Sequence, residues 1–331
     1  MKIRISFLMT VLFLTVFLCA CAPDQAVAGE QVSAADDSIS IVTTIFPEYD
    51  WVRSIVGDNP AGAEISMLLD NGVDLHSYQP TAADILNIAR CDLFIYVGGE
   101  SDKWVDDALK EAVNKDMIVI DLLDELGSAV KEEELVEGME VGEEDHEGEE
   151  EEPEYDEHVW LSLKNSRVLC GVIEAALEKI DSSNASLYKS NLDAYLAELD
   201  ALDKEYAAVV AGSDKDTVLF ADRFPFRYLA DDYGLKYYAA FAGCSAESEA
   251  SFETVTFLAG KVDELSLKRV LVIESSDGKI AETVIANTSS ADASVLTMNS
   301  IQSVTADDVK AGISYLGLMQ QNLEVLKEAL Q

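Results

Sequence analysis

The chain has 331 residues, of which 63 are Asp or Glu and 23 are Lys or Arg, so its formal net charge is −40. Such a charge repels phosphate backbones and attracts cations, which argues against a nucleic-acid partner. Any site that needs imidazole must draw on three histidines, His76, His146 and His158. A chain of this length is typical of two domains or lobes.

The N-terminal residues predict export and a lipid anchor. A basic start precedes the apolar run 5–18, which has the length of a signal-peptide core and is short for a membrane span. The run ends in Leu18-Cys19-Ala20-Cys21, which resembles the bacterial lipobox. We therefore expect a signal peptide at 1–20, a lipidated Cys21 and a linker at 21–37 on the outer side of a bacterial cell membrane. An ordinary signal peptide or an uncleaved anchor is the alternative.

Continuous apolar runs, most of them rich in β-branched residues, predict strands that are covered on both faces. They occur at 38–45, 64–69, 93–97, 117–122, 217–221, 269–274 and 294–298. Helical spacing of apolar residues separates them, at 82–89, 104–113, 252–262 and 280–286. Strands that alternate with helices predict an α/β fold with parallel sheets.

The predicted strands fall into two groups, which we interpret as two α/β lobes at 38–130 and 214–331. A helical connector is expected between them, at 158–213. In it, apolar residues recur at the spacing of one long helix, namely Leu192, Tyr195, Leu196, Leu199 and Leu202.

An acidic segment separates the first lobe from the connector. Residues 132–157 contain sixteen acids and no Lys or Arg. Few large apolar residues occur there, so the segment predicts a disordered loop at 131–157. Two compatible interpretations are a solvated, self-repelling loop and a loop that gathers cations on its carboxylates and His146.

The cysteines indicate no disulfide framework. Cys91 and Cys170 lie in apolar runs and are expected to be buried small hydrophobes. With Cys21 lipidated, only Cys244 remains besides these two, and three thiols cannot pair completely.

Four residues at strand ends or loop boundaries form a potential metal site, two from each lobe: His76, His158, Asp222 and Asp277. Ligands of open α/β sheets bind beyond the carboxyl ends of the strands. Taken singly, each residue more often caps a helix or forms a turn. Together, two imidazoles and two carboxylates suit a divalent first-row ion.

Four motifs occur in an order that resembles the metal-binding receptors of ABC importers, the zinc and manganese cluster. They are Gly72-Val-Asp-Leu-His-Ser-Tyr-Gln-Pro80, the acid-x-His-x-Trp-Leu motif of 156–161, Phe-x-Tyr…Tyr-Gly-Leu at 226–235, and the acidic stretch 272–278. The zinc branch often carries a His- and acid-rich loop before its second His, where 132–157 lies here.

The resemblance implies two lobes bridged by a long helix, with the ion in the cleft between them. It implies His76 and His158 as ligands, and Asp277 as a fourth. In relatives the third ligand is a His or Glu, but that position holds Arg223 here, and guanidinium offers no lone pair. We therefore infer Asp222 as the third ligand, with Arg223 orienting a carboxylate.

The loop 243–251 offers alternative donors. Glu247 and Glu249 are oxygen donors that also suit a helix N-terminus, and Cys244 is a softer donor that favours zinc. Zinc is expected ahead of manganese or iron.

The function implied is a monomeric, non-enzymatic receptor that passes its ion to an ABC permease and its ATPase. The rival from another class is a secreted metal-dependent hydrolase with Glu157 as its base. The sequence shows no Gly-x-Ser-x-Gly, His-Glu-x-x-His or phosphate-binding glycine loop. A role in cell adhesion is a third possibility, on which the sequence is silent.

Overall fold

The computed structural model of the chain describes residues 38–140, 154–245 and 249–331. Cys21, His146 and Glu247 lie outside these residues, so their predicted roles stay predictions. Within the described ranges, no helix combines the length and the apolar character needed to cross a membrane.

Eight strands form two sheets in which every pair of neighbours is parallel. The first sheet contains β1 (Ser40–Thr43), β2 (Glu64–Met67), β3 (Leu93–Tyr96) and β4 (Ile118–Asp121). The second contains β5 (Thr217–Phe224), β6 (Lys236–Ala242), β7 (Arg269–Val272) and β8 (Ser294–Thr297). The strand orders, β2-β1-β3-β4 and β6-β5-β7-β8, are the same. Each sheet therefore has a switch point, beside β1 and beside β5, where ligands bind in open α/β folds.

Helices flank both sheets. The first half contains α1 (Phe46–Val56), α2 (Ala82–Ile88), α3 (Val105–Lys110) and α4 (Leu122–Leu126). The middle contains α5 (Leu163–Ile180) and α6 (Ala185–Ala211). The second half contains α7 (Arg227–Tyr233), α8 (Phe252–Glu264), α9 (Lys279–Ala286), α10 (Ala306–Lys310) and α11 (Tyr315–Ala329).

Helix α6 connects the two halves. Its 27 residues span about 40 Å at the α-helical rise. A buried apolar stripe runs along it, formed by Tyr188, Leu192, Tyr195, Leu199, Leu202 and Tyr206. The Asn191 side chain donates to the Ile55 carbonyl of α1 at 2.9 Å, and the Tyr206 hydroxyl donates to the Met319 carbonyl of α11 at 2.6 Å. The predicted fold class, two parallel α/β lobes joined by a long connecting helix, is confirmed.

Strand β6 is the one strand that the sequence patterns do not predict. Its sequence, Lys-Tyr-Tyr-Ala-Ala-Phe-Ala, contains no Val, Ile or Thr, although four of its last five residues are fully or almost fully buried. β-Branched residues are the usual strand signal, but burial between helices and a neighbouring strand decides the structure here.

The two described ends of the acidic segment are folded, which differs from the prediction of one disordered loop at 131–157. Residues 131–133 pair with 154–156: the Glu133 amide donates to the Glu154 carbonyl, and the Asp156 amide to the Lys131 carbonyl, both at 2.9 Å. Met139 is buried, and the Glu140 amide donates to the Ala240 carbonyl of β6 at 2.9 Å. Backbone pairing and one buried side chain therefore order both ends despite their charge.

Candidate metal centre

Three side chains of types that can bind a metal converge at the carboxyl ends of the sheets. The ligand atoms of His76, His158 and Cys244 all lie within 4.8 Å of one another. Among the residues that the structure describes, no other group of three or more such side chains is found. His76 follows β2 and Cys244 follows β6, so each half of the chain contributes to the group.

His76 is held by hydrogen bonds to its backbone and its ring. It lies in a 3₁₀ turn, Leu75–Ser77, whose first residue is capped by Asp74: the Asp74 Oδ1 accepts from the His76 amide at 3.0 Å. The His76 Nδ1 lies 2.8 Å from the Ser101 Oγ and 3.3 Å from the Glu157 Oε2. Glu157 in turn accepts from the Ser101 amide at 2.9 Å. One buried carboxylate thus orients the ring and the serine beside it.

His158 is completely buried and is held by one neighbouring carboxylate. The Asp156 Oδ1 accepts from the His158 amide at 2.9 Å and lies 3.1 Å from its Nδ1. Gly243 packs against the ring: a Cβ at this position would lie 3.2 Å from the His158 Nδ1 and 3.0 Å from the Phe224 carbonyl oxygen. The loop that carries Cys244 can approach His158 this closely because residue 243 has no side chain.

The polar neighbours of both rings favour one tautomer. Asp156 lies against the His158 Nδ1, and the Ser101 hydroxyl and Glu157 lie against the His76 Nδ1. A proton on each Nδ1 matches these acceptors and leaves a lone pair on each Nε2. The two Nε2 atoms are 3.2 Å apart. Two acceptor atoms at this distance repel each other unless a cation or a proton lies between them. Two nitrogens bound tetrahedrally to one Zn²⁺ would be about 3.3 Å apart, so the spacing fits one metal ion.

The surroundings of the group are strongly negative. Burial opposes the ionisation of Glu157, but its contacts with the His76 ring and with Ser101 outweigh burial and lower the pKa of Glu157. Burial, with Asp156, Glu133 and Glu157 nearby, raises the pKa of the Cys244 thiol well above its ordinary value. A bound divalent cation would reverse this balance, because it stabilises a thiolate directly.

Two cavities adjoin the group, and both reach His76. The first, of about 600 Å³, is lined by the acids Glu100, Glu132, Glu133, Glu140, Glu154 and Glu157. None of the described residues that line it is Lys or Arg. The second, of about 770 Å³, contains Arg223 and Lys279 as well as Asp74, Asp222 and Asp277. A cation therefore meets only negative charge on one side of the group and mixed charge on the other.

The two aspartates expected as ligands lie on the second cavity and outside the three-residue group. Asp222 accepts from the amides of Arg223 at 2.8 Å and Ile273 at 3.3 Å, so it ties the end of β5 to the end of β7. Asp277 is exposed, accepts from the Lys279 amide at 3.0 Å and forms an ion pair with the Lys279 ammonium, which lowers its pKa. Their role as ligands stays a prediction.

The alternative donors that the sequence offers in the loop 243–251 lie at different places in the structure. Cys244, which the sequence suggests only as an alternative, belongs to the group, whereas Glu249 lines the second cavity. Arg223 offers no lone pair and is an ion-pair partner of Asp74 at 2.6 Å.

Sequence reasoning missed the residues that orient the rings, Asp156, Glu157 and Ser101. The signal for two of them was present, because acids stand one and two positions before His158. The sequence suggested Cys244 only as a softer alternative donor. Had β6 been recognised, Cys244 would have stood just beyond the carboxyl end of a strand, where ligands bind.

Comparison with known proteins agrees with this arrangement. Residues 41–329 match the family model of ZnuA, described as zinc-uptake complex component A, periplasmic. The chain is 31% identical to the zinc-binding lipoprotein AdcA of Streptococcus pneumoniae over 94% of its own length and 58% of that protein. It is 29% identical to the high-affinity zinc uptake system protein ZnuA of Bacillus subtilis, over 95% of this chain and 94% of that one.

A solved structure with a matching fold is the Zn(II)-bound ZnuA-like domain of Streptococcus pneumoniae AdcA. The TM-score is 0.68 at 26% identity, covering 88% of this chain and 99% of that one. The chain thus spans 58% of the length of full AdcA and almost all of its ZnuA-like domain. Since the family model covers most of the chain, the protein belongs to the ZnuA family of zinc-uptake components.

Proposed function

We propose that this chain is an extracytoplasmic receptor that captures Zn²⁺ between its two α/β lobes and delivers it to an ABC permease. The observation that carries the proposal is the pair of imidazole Nε2 atoms 3.2 Å apart, with a carboxylate behind each ring. The lobes are those at 38–130 and 214–331, with 158–213 as the connector.

The donor set favours zinc. Two imidazoles and one thiolate are typical zinc ligands, whereas manganese prefers oxygen donors. AdcA is named as zinc-binding and the ZnuA of Bacillus subtilis as a zinc uptake protein, which supports the same choice. We propose His76, His158 and Cys244 as ligands, with Asp277 or Asp222 as the source of a fourth donor when the lobes close. Manganese or iron is the alternative cargo.

Capture requires no bond to be broken, so a receptor needs only a difference in metal affinity between its open and closed arrangements. The acidic cavity beside His76 raises the local concentration of cations before they reach the group. In the sequence, the segment 141–153 adds further acids and His146. Lipidation at Cys21 would hold the receptor at the membrane beside the permease and its ATPase.

The direct test is metal binding by protein that has been stripped with a chelator. We expect one Zn²⁺ per chain in competition with a chelator of known affinity, and Mn²⁺ binding at least about 100-fold weaker. His158→Ala should weaken zinc binding at least about 100-fold, because it removes a buried imidazole that we propose as a ligand. His146→Ala, the only imidazole outside the group, is the matched control and should change affinity less than about threefold.

Two outcomes would contradict the proposal. If stripped wild-type protein binds no zinc, the proposed receptor function is wrong. If it prefers manganese, the proposed cargo is wrong.

A further inference from the structure

The resemblance places a third ligand at the sequence position that Arg223 occupies. In the structure, the Arg223 guanidinium donates hydrogen bonds to two other segments of the chain. The pairing of β5 with β6 shifts register between Phe220 and Arg223. Such irregularities re-aim the side chains that follow them. Arg223 lies immediately after the shift, near the carboxyl end of β5, where its side chain reaches the second cavity.

The guanidinium contacts both segments that carry ligands. Its Nη2 donates to the Asp74 Oδ2 at 2.6 Å, and its Nη1 donates to the Ser245 carbonyl at 3.4 Å. Asp74 is two residues before His76 and Ser245 is one residue after Cys244. One side chain of the second sheet therefore touches the His76 turn of the first half and the Cys244 loop of the second.

Asp74 transmits this contact to the ligand itself. Its Oδ2 accepts from Arg223, while its Oδ1 accepts from the His76 amide at 3.0 Å. The Arg223 and Asp74 side chains are only 15% and 19% exposed. A charge-assisted pair that is mostly shielded from water holds its geometry better than an exposed one.

We propose that Arg223 is a positioning residue that fixes the His76 turn against the Cys244 loop before the metal arrives. This inference rests on the proposed function. In the family that the chain resembles, a metal ligand stands at this position and would be ordered by the metal. The Arg223 guanidinium is always charged, so it can order the two segments before a metal binds. Preorganisation of this kind strengthens binding because less conformational entropy is lost on capture.

The positive charge of Arg223 also acts against zinc binding. An increase and a decrease in zinc affinity on removal of this charge therefore point to different roles. A guanidinium near a divalent cation repels it, so removal of the charge alone would tighten zinc binding. If positioning dominates, removal weakens binding instead. The direction of the change in affinity therefore distinguishes a positioning residue from a mere obstacle.

The test compares Arg223→Met, Asp74→Asn and the double variant. Methionine keeps much of the side-chain length without the charge, and asparagine keeps an oxygen that can accept from the His76 amide. We expect zinc affinity to fall about 10- to 100-fold in either single variant, with a matching rise in the rate of zinc release to a chelator. The double variant should be no weaker than the weaker single variant, because both remove one interaction.

A second measurement reports on the metal-free protein. Hydrogen exchange of the amides of 74–77 and 243–245 should be faster in Arg223→Met than in wild type, with global unfolding unchanged. The matched control is Arg269→Met with Glu328→Gln, another Arg–carboxylate pair between distant segments, with its atoms 2.9 Å apart. It should alter neither zinc affinity nor exchange at these two segments. If Arg223→Met does not fold, Asp74→Asn alone carries the same test.

Three results would overturn the inference while leaving the receptor function intact. They are unchanged or tighter zinc binding by Arg223→Met, additive losses in the double variant, and unchanged exchange at both segments. A wild-type protein that binds no zinc would instead overturn the proposed function, and this inference with it.

Discussion

The two halves of the chain share one sheet order but support the metal centre in different ways. In the first half and the segment that follows it, each imidazole is held by a buried carboxylate, Glu157 for His76 and Asp156 for His158. The second half contributes one thiol, with a glycine beside it and an arginine that reaches across to the first half. The first half therefore orients the imidazole nitrogens, whereas the second half offers the thiol that would make a metal site here soft.

The contacts of Cys244 show how the halves depend on each other. Its amide donates to the Glu133 Oε1 at 2.8 Å, and Glu133 belongs to the acidic segment between the halves. The paired ends of that segment also carry Asp156. The acidic segment is thus joined to the metal centre at both of its described ends, rather than only surrounding it with charge.

The largest effect is expected from the second half, in Cys244→Ser. Loss of the thiolate should weaken zinc binding more than about 100-fold and should narrow the preference for zinc over manganese, because a hydroxyl is a poor, hard donor. Competition titrations with both metals would show this. Co²⁺ provides a spectroscopic check, since a thiolate ligand gives an intense near-ultraviolet charge-transfer band.

Cys170→Ala is the control for that experiment, because Cys170 is a buried free thiol that does not belong to the group. It should keep both the Co²⁺ band and the zinc affinity. If Cys244→Ser protein retains the Co²⁺ band and the zinc affinity, the second half supplies no thiolate. The proposed difference between the two halves would then be wrong.

The first half is tested by Glu157→Gln, for which a smaller loss is expected. The side-chain carbonyl of the introduced glutamine can still accept from Ser101, but an amide N–H facing the His76 ring favours the tautomer that places its proton on Nε2. That tautomer has no lone pair on Nε2, the His76 atom that faces His158, so zinc affinity should fall about 10- to 100-fold. Isothermal titration of stripped protein measures this.

Glu132→Gln is the matched control on the same cavity, since Glu132 is exposed and lines the cavity. It should change affinity less than about threefold. Equal losses in the two variants would mean that the charge of the cavity, rather than ring orientation, decides the affinity.

Much of this architecture follows from the sequence because buried parallel strands leave a strong apolar signal. The apolar runs predict all four strands of the first sheet and three of the second close to their observed positions. They do not predict strand β6, since Tyr, Ala and Phe replace the usual β-branched residues. His76 and His158 can be found from their motifs, but Asp222 cannot be separated from a turn-forming aspartate without knowing that its oxygens accept from Arg223 and Ile273.

The smallest expected effect is on the free energy of unfolding. It tests whether ionisation of a buried carboxyl in the first half destabilises the folded chain. Burial raises the pKa of Asp102 to about 7; the charge of Glu157 adds to the rise, and the amides of Gly98 and Val97 oppose it. Its Oδ2 accepts from both amides, at 3.0 and 3.1 Å, while its buried Oδ1 has no hydrogen-bond partner. Burial also raises the pKa of Glu48 well above its ordinary value, in the same direction.

For a carboxyl whose pKa is higher in the folded than in the unfolded chain, the contribution to stability is complete at low pH. It is lost as pH rises from about 4, where the unfolded carboxyl ionises, through about 7, where Asp102 ionises in the folded chain. Wild-type metal-free protein should therefore lose about 2 kcal/mol of unfolding free energy from this group between pH 5 and pH 7. In Asp102→Asn, whose amide oxygen can still accept from both backbone amides, the remaining slope is that of Glu48 and other groups. Urea unfolding at pH 5, 6 and 7 measures the difference, and equal slopes in the two proteins would show that Asp102 is already ionised in the folded first half.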